Sequence, residues 1–250
     1  MYFGTRKYAN AIVRHNFMKT PRFDIEEEIE LYYNFKTSYK WTYLMWGLLA
    51  NADRVINSVY LFKHFDDYCW QLNSDRQEDK LEVYWTASYH EKLIDYIKII
   101  VAFETMNKAL LLKNGFLIHK IDHRYDKKLH TKQATGIPIT LDEFYNNNYT
   151  SIDWVRKEAK LNGLTQNYST INFSHTLNDH YQEILQLDKD LVHHLKAINQ
   201  KRNRLHLYSD FTGAFEVSRH IAKWKYIKES SLSKIRTEYL LIDEELKNCA

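Results

Sequence analysis

The chain has 250 residues, with 35 Lys and Arg against 32 Asp and Glu, a formal net charge of +3. That balance is too mild to mark a nucleic-acid binder or a membrane-surface protein, and 44% hydrophobic residues with 27% charged exclude wholesale disorder. Only 6 Gly and 2 Pro are present, too few turn formers for a β-sandwich or a doubly wound sheet, and no two glycines stand close enough to form a phosphate loop. The composition therefore points to long helices.

Cys69 and Cys249 are the only cysteines, which excludes a disulfide framework and a Cys-rich zinc site. Met1 to Lys7 has no apolar run behind its basic residues, so no signal peptide is expected. The most apolar stretch, Tyr43 to Ala50, is interrupted by Asn51, Asp53 and Arg54. It falls far short of the roughly 20 residues a membrane span needs. The expectation is a cytoplasmic protein without membrane contact.

In chain order, residues 1–22 are basic and irregular. Asp24 can cap a helix from about Ile25 to Thr37. A second helix is predicted from Ser38 or Trp41 to about Trp70, with Leu44, Leu48, Val55, Val59, Phe62 and Phe65 as its apolar face. Residues 71–79 are a polar connection. The clearest long helix runs from about Lys80 to Lys113, with a stripe of Leu93, Tyr96, Ile97, Ile100, Phe103, Asn107 and Leu111. Asn114-Gly115 stops it. Residues 119–150 read as a loop with a short helix at 141–146, and a further short helix is predicted at 151–161. A helix from Asn178 to about His206 follows, with Tyr181, Ile184, Leu185, Leu191, Leu195, Ile198 and Leu205 on one face. Two amphipathic helices, 214–228 and 231–246, end the chain.

Candidate chemistry begins where the stripe Leu191, Leu195, Ile198 is continued by Arg202 and His206. On a helix these two sit about 40° apart, on one side. Arginine binds phosphate through a fixed fork of donors, and histidine moves protons near neutral pH. Spacing alone also allows the bland alternative, side chains that satisfy the carbonyls at a helix end. Glu104 and Asn107 lie on or beside the inward stripe of the 80–113 helix, where polar groups need partners. Arg202 is the candidate partner of Glu104, with a solvent-facing Glu104 as the alternative. His119, His123 and His130 share a loop with Asp122 and Asp126, but the spacing does not spell out a zinc site. His193 and His194 are adjacent and point to different faces. His175 and His180 suit cap or surface positions. Most aromatic rings stand at core spacing rather than in a base-stacking array.

Two segments together resemble the HEPN superfamily of all-helical proteins, which includes many RNases of defence and toxin systems. The first is Ala102-Phe103-Glu104-Thr105-Met106-Asn107-Lys108-Ala109-Leu110-Leu111-Leu112-Lys113-Asn114-Gly115, followed by Ile118-His119-Lys120-Ile121. The second is Arg202-Asn203-Arg204-Leu205-His206. The likeness covers about residues 80–228. It departs from the family in the Arg–His interval, which at three residues is shorter than usual.

The resemblance implies an all-α fold, a HEPN-like helical bundle over 80–250 with additional N-terminal helices in an extension over 1–79. It implies metal-independent endoribonuclease activity that needs no cofactor. Arg202, Asn203 and His206 would be catalytic, and Lys201 and Arg204 would contact the RNA backbone. Glu104 and Asn107 would support the site. It also implies a homodimer with a composite cleft, and an antitoxin or other defence-system protein as a partner. The alternatives are a non-catalytic HEPN-like module that binds RNA, a nucleotide or a protein, and a helical scaffold without a site.

Overall fold

The computed structural model describes residues 39–72, 76, 94–123, 126–149, 169–203 and 217–249. Among them the chain is all-α. Its helices are α1 (Tyr39–Asn57), α2 (Tyr60–Lys63), α3 (Phe65–Leu72), α4 (Tyr96–Lys113), α5 (Lys127–Ala134), α6 (Leu141–Tyr149), α7 (Phe173–Thr176), α8 (Asp179–Leu185), α9 (Lys189–Asn203) and α10 (Val217–Asn248). The only strand-like pairings among the described residues are the isolated bridges Phe116–Thr140 and His119–Thr170. The helices predicted at 25–37 and 151–161 lie outside the described residues.

α4 is the centre of the core. Tyr96, Ile100, Phe103, Asn107 and Leu111 are buried as their spacing requires, and so are Ile99, Ala102, Met106, Ala109, Leu110 and Leu112. A helix buried on several faces needs neighbours on several sides, and α1, α7, α8 and α9 all pack against it. Ile97 of the expected stripe is instead exposed. α4 ends as predicted. Gly115 takes φ 74°, and the Gly115 and Phe116 N–H groups donate back to Leu112 and Leu111.

The second predicted helix is corrected in two respects. Its inward face is Trp41, Met45, Leu49, Ala52 and Ile56, one position on from the expected Leu44, Leu48 and Val55, which are only partly buried. Its backbone also breaks at Ser58–Val59, although Val59, Phe62 and Phe65 keep the apolar rhythm. The break is held from outside. Val59 is extended (φ −64°, ψ 120°), and the fully buried Asp95 carboxylate accepts from the N–H groups of Tyr60 at 3.0 Å and Leu61 at 2.9 Å. Those are the orphan donors of a new helix start.

Three further corrections follow the same physics. The 119–150 segment contains α5, started by the Asp126 carboxylate accepting from the Leu129 N–H, as well as α6. The 178–206 helix is two: Gln186 turns left-handed (φ 49°) and closes α8, and Asp188 then accepts from Asp190 and Leu191 to open α9. The two C-terminal helices are one. In α10, Trp224, Ile227, Ser231, Ile235 and Ile242 form an unbroken buried face, and the Ser230-Ser231 pair carries no glycine or proline to stop it.

α1 packs on both α4 and α10. One continuous apolar core joins Trp41 to Tyr68 with residues from Tyr96 to Ile242. Among the described residues no helix is long and apolar enough to cross a membrane.

Candidate functional site

The C-terminal end of α9 is the first region of interest. Leu191, Leu195 and Ile198 are buried and hold α9 against α4. The next turn carries Lys201 and Arg202, both half-buried. The Lys201 ammonium donates to the Tyr96 hydroxyl at 3.1 Å and lies 5.4 Å from the centre of that ring. The ring in turn stacks on Trp224, with centroids 5.9 Å apart and planes inclined by 15°. An aromatic wall from α4 and α10 thus supports the basic end of α9, at the N-terminal end of α4. Asn203 is the last residue of α9. Arg204 and His206 lie outside the described residues.

The two supporting residues are engaged elsewhere along α4. Glu104 is half-buried, and its carboxylate takes the Lys108 ammonium at 2.6 Å, one turn on. Asn107 is fully buried and donates to Thr176 Oγ1 of α7 at 2.9 Å. At about 1.5 Å of rise per residue, these positions stand about 12 and 16 Å along the helix from Tyr96.

A second region lies towards the other end of α4. After Gly115 the chain runs extended and pairs with two partners. Leu117 donates to Ile139, Ile171 donates to Ile118, and Lys120 donates to Ser169. Gln133 of α5 clamps this segment, accepting from the Ile121 N–H at 2.9 Å and donating to the His119 carbonyl at 2.8 Å. The result is a rigid-walled cleft of about 340 Å³ between the 120–123 segment, α5 and the Ile171–His175 turn.

His123, His130 and His175 all line this cleft, with Lys120, Asp122 and Asn172. The His123 and His130 rings stand edge to face, 5.8 Å apart. His130 Nδ1 is 2.7 Å from the Ile121 carbonyl. A carbonyl only accepts, so this contact places a proton on Nδ1 and leaves Nε2 as the ring's other polar atom. His123 Nδ1 lies 3.5 Å from the Asp122 carboxylate. Lys120 donates to Asn172 Oδ1 at 2.8 Å. His175 Nδ1 is buried and meets no hydrogen-bond partner among the described residues. His119, the third histidine of the loop, is instead fully buried.

The sequence pattern signals His123 and His130 as neighbours, but not His175, which arrives from 45 positions beyond His130. It comes in through the His119–Thr170 bridge, a pairing with no local signature. Among the described residues no three His, Cys, Asp or Glu side chains are grouped so as to hold a metal ion. Comparison with protein-family models, with curated proteins and with solved structures finds no match.

Proposed function

We propose that the chain is a metal-independent endoribonuclease of the HEPN type, acting in phage defence or as the toxin of a toxin–antitoxin pair. The observation that supports this reading is that the helix carrying most of the first segment and the helix leading into the second are packed neighbours. α9 lies on α4, and the basic end of α9 is tied to α4 by the Lys201–Tyr96 bond.

In this reading the RNA 2′-hydroxyl attacks the adjacent phosphorus, and the leaving group is the 5′-oxygen of the next nucleotide. His206 removes or supplies the proton, Arg202 neutralises charge growing on the phosphoryl oxygens, and Asn203 orients the phosphate. Lys201, with one of its three N–H donors spent on Tyr96, and Arg204 draw in the RNA backbone. Two protomers pair to form the cleft, and an antitoxin or other defence-system protein controls it.

The test is incubation of the purified protein with mixed RNA in excess EDTA, beside Arg202→Ala and His206→Ala. The expected result is cleavage by the native chain alone, leaving 2′,3′-cyclic phosphate ends. Equal cleavage by all three would remove these residues from the chemistry.

The short interval between Arg202 and His206 favours a second reading, a non-catalytic HEPN-like module that binds RNA, a nucleotide or a protein. It predicts RNA retention without cleavage, weakened by Arg202→Ala.

A further inference from the structure

The histidine cleft stands apart from the Arg202 region. Its His175 adjoins Thr176, the partner of Asn107, about three turns of α4 from Tyr96, where Lys201 docks. Nothing in the proposed RNA chemistry uses it, yet it has the character of a built site. A backbone-clamped wall fixes it, and three imidazoles and an ammonium line it.

We infer that this cleft binds a phosphate monoester, its phosphate held by Lys120, His130 and His175 and its organic part resting on Ile121, Ala134 and Ile171. Three features select that chemistry. Lys120 spends one N–H on Asn172 and retains two donors, which suits an anion and repels a cation. A volume of about 340 Å³ exceeds a bare phosphate and sits at the small end of organic-ligand clefts, the size of a mononucleotide or sugar phosphate. The Asp122 carboxylate in the wall opposes a second phosphate group and offers an acceptor to a ligand hydroxyl.

The experiment is a titration of the full-length, isotope-labelled protein, followed through its imidazole proton signals. The probes are inorganic phosphate, adenosine 5′-monophosphate and adenosine. The His130→Gln and His175→Gln spectra assign the signals. Saturable shifts of the His130 and His175 signals are expected with phosphate and with the monophosphate, and none with adenosine. Lys120→Met and His130→Gln should each weaken binding roughly tenfold, with unchanged thermal melting showing that both variants are folded. Arg202→Ala should bind as the native chain does.

No saturation by either phosphate probe at millimolar concentration would overturn the inference. So would equal shifts with adenosine, or unaltered binding by folded Lys120→Met and His130→Gln. Binding lost in Arg202→Ala but kept in those two variants would overturn it by placing the phosphate at the end of α9. Because the readout is binding at named histidines, its failure is distinct from failure to cleave RNA.

Discussion

The Lys201 ammonium lies 3.1 Å from the hydroxyl of Tyr96, a residue 105 positions earlier, and ties the end of α9 to the start of α4. This bond gives Lys201 a structural duty beside the electrostatic one proposed for it. Lys201→Met keeps the stem and removes the charge. It should lower stability by about 1 kcal/mol, the usual net worth of one such bond and cation–ring contact. If Lys201 also meets an RNA phosphate, the variant should bind RNA more weakly, with the slope of log affinity against log salt shallower by about one. Chemical denaturation and a salt series of RNA binding separate the two duties. A stability loss with an unchanged salt slope would leave Lys201 a purely structural residue.

Asp95 carries a structural duty in the core. Its buried carboxylate serves two N–H groups at the start of α2, with the Lys98 ammonium 3.9 Å away. Asp95→Ala strands both donors beneath the surface and should cost about 2–4 kcal/mol. Asp95→Asn keeps one acceptor oxygen and should cost roughly half of that. Denaturant midpoints of the two variants check the order. Equal, small losses would mean that α2 finds other acceptors.

The contrast between α4 and its surroundings shows what a sequence displays and what it hides. The inward stripe from Tyr96 to Leu111, the Gly115 stop and the all-α class are legible because they follow from neighbouring residues alone. The break at Val59 is not legible. The residues that keep the apolar period run straight through it, and the acceptor that stabilises it is Asp95, 34 positions beyond Leu61. The opposite error occurs in α10, expected as two helices at 214–228 and 231–246, where Ser231 instead sits fully buried within one helix. The same holds for the sites. Arg202 stands out because it extends a local stripe. The cleft does not, because His175 reaches His130 only through tertiary pairing. Glu104 meets Lys108, which is always one turn away on the same helix.

Gly136 offers a sharp backbone test. It has φ +82°, and a methyl group there would fall within contact distance of the Asn178 side-chain amide. That amide donates to the Gly136 carbonyl at 2.9 Å, while its oxygen caps α8 by accepting from Tyr181. Gly136→Ala thus combines a left-handed backbone penalty of about 1 kcal/mol with displacement of a cap worth a similar amount. A loss of about 2–3 kcal/mol is expected in equilibrium unfolding. Asn178→Ala should lose only the cap, and in that background the further cost of Gly136→Ala should fall, because the clash is gone. Full additivity in the double variant would contradict this geometry.

The pH dependence of stability should carry the mark of His194. Burial is the main cause that holds its imidazole below the ordinary value of 6.5, with the Lys223 and His193 charges adding to it and Asp190 opposing. Its ring also faces Tyr226 of α10, at a centroid distance of 5.5 Å. The folded state therefore takes up this proton at lower pH than the unfolded chain does. Between the two values the unfolded chain binds more protons, so stability rises with pH across that window and is lost as pH falls below about 6.5. Asp188 acts further down the scale. Its carboxyl is held below the usual range, chiefly by the Tyr226 hydroxyl, so its contribution disappears only as pH drops through the carboxylate range. His194→Gln should flatten the loss between about pH 7 and 5 while leaving the steeper fall at lower pH intact. Denaturant midpoints measured from pH 8 to 3 on both proteins decide it. An identical profile above pH 5 would mean that His194 does not couple to folding.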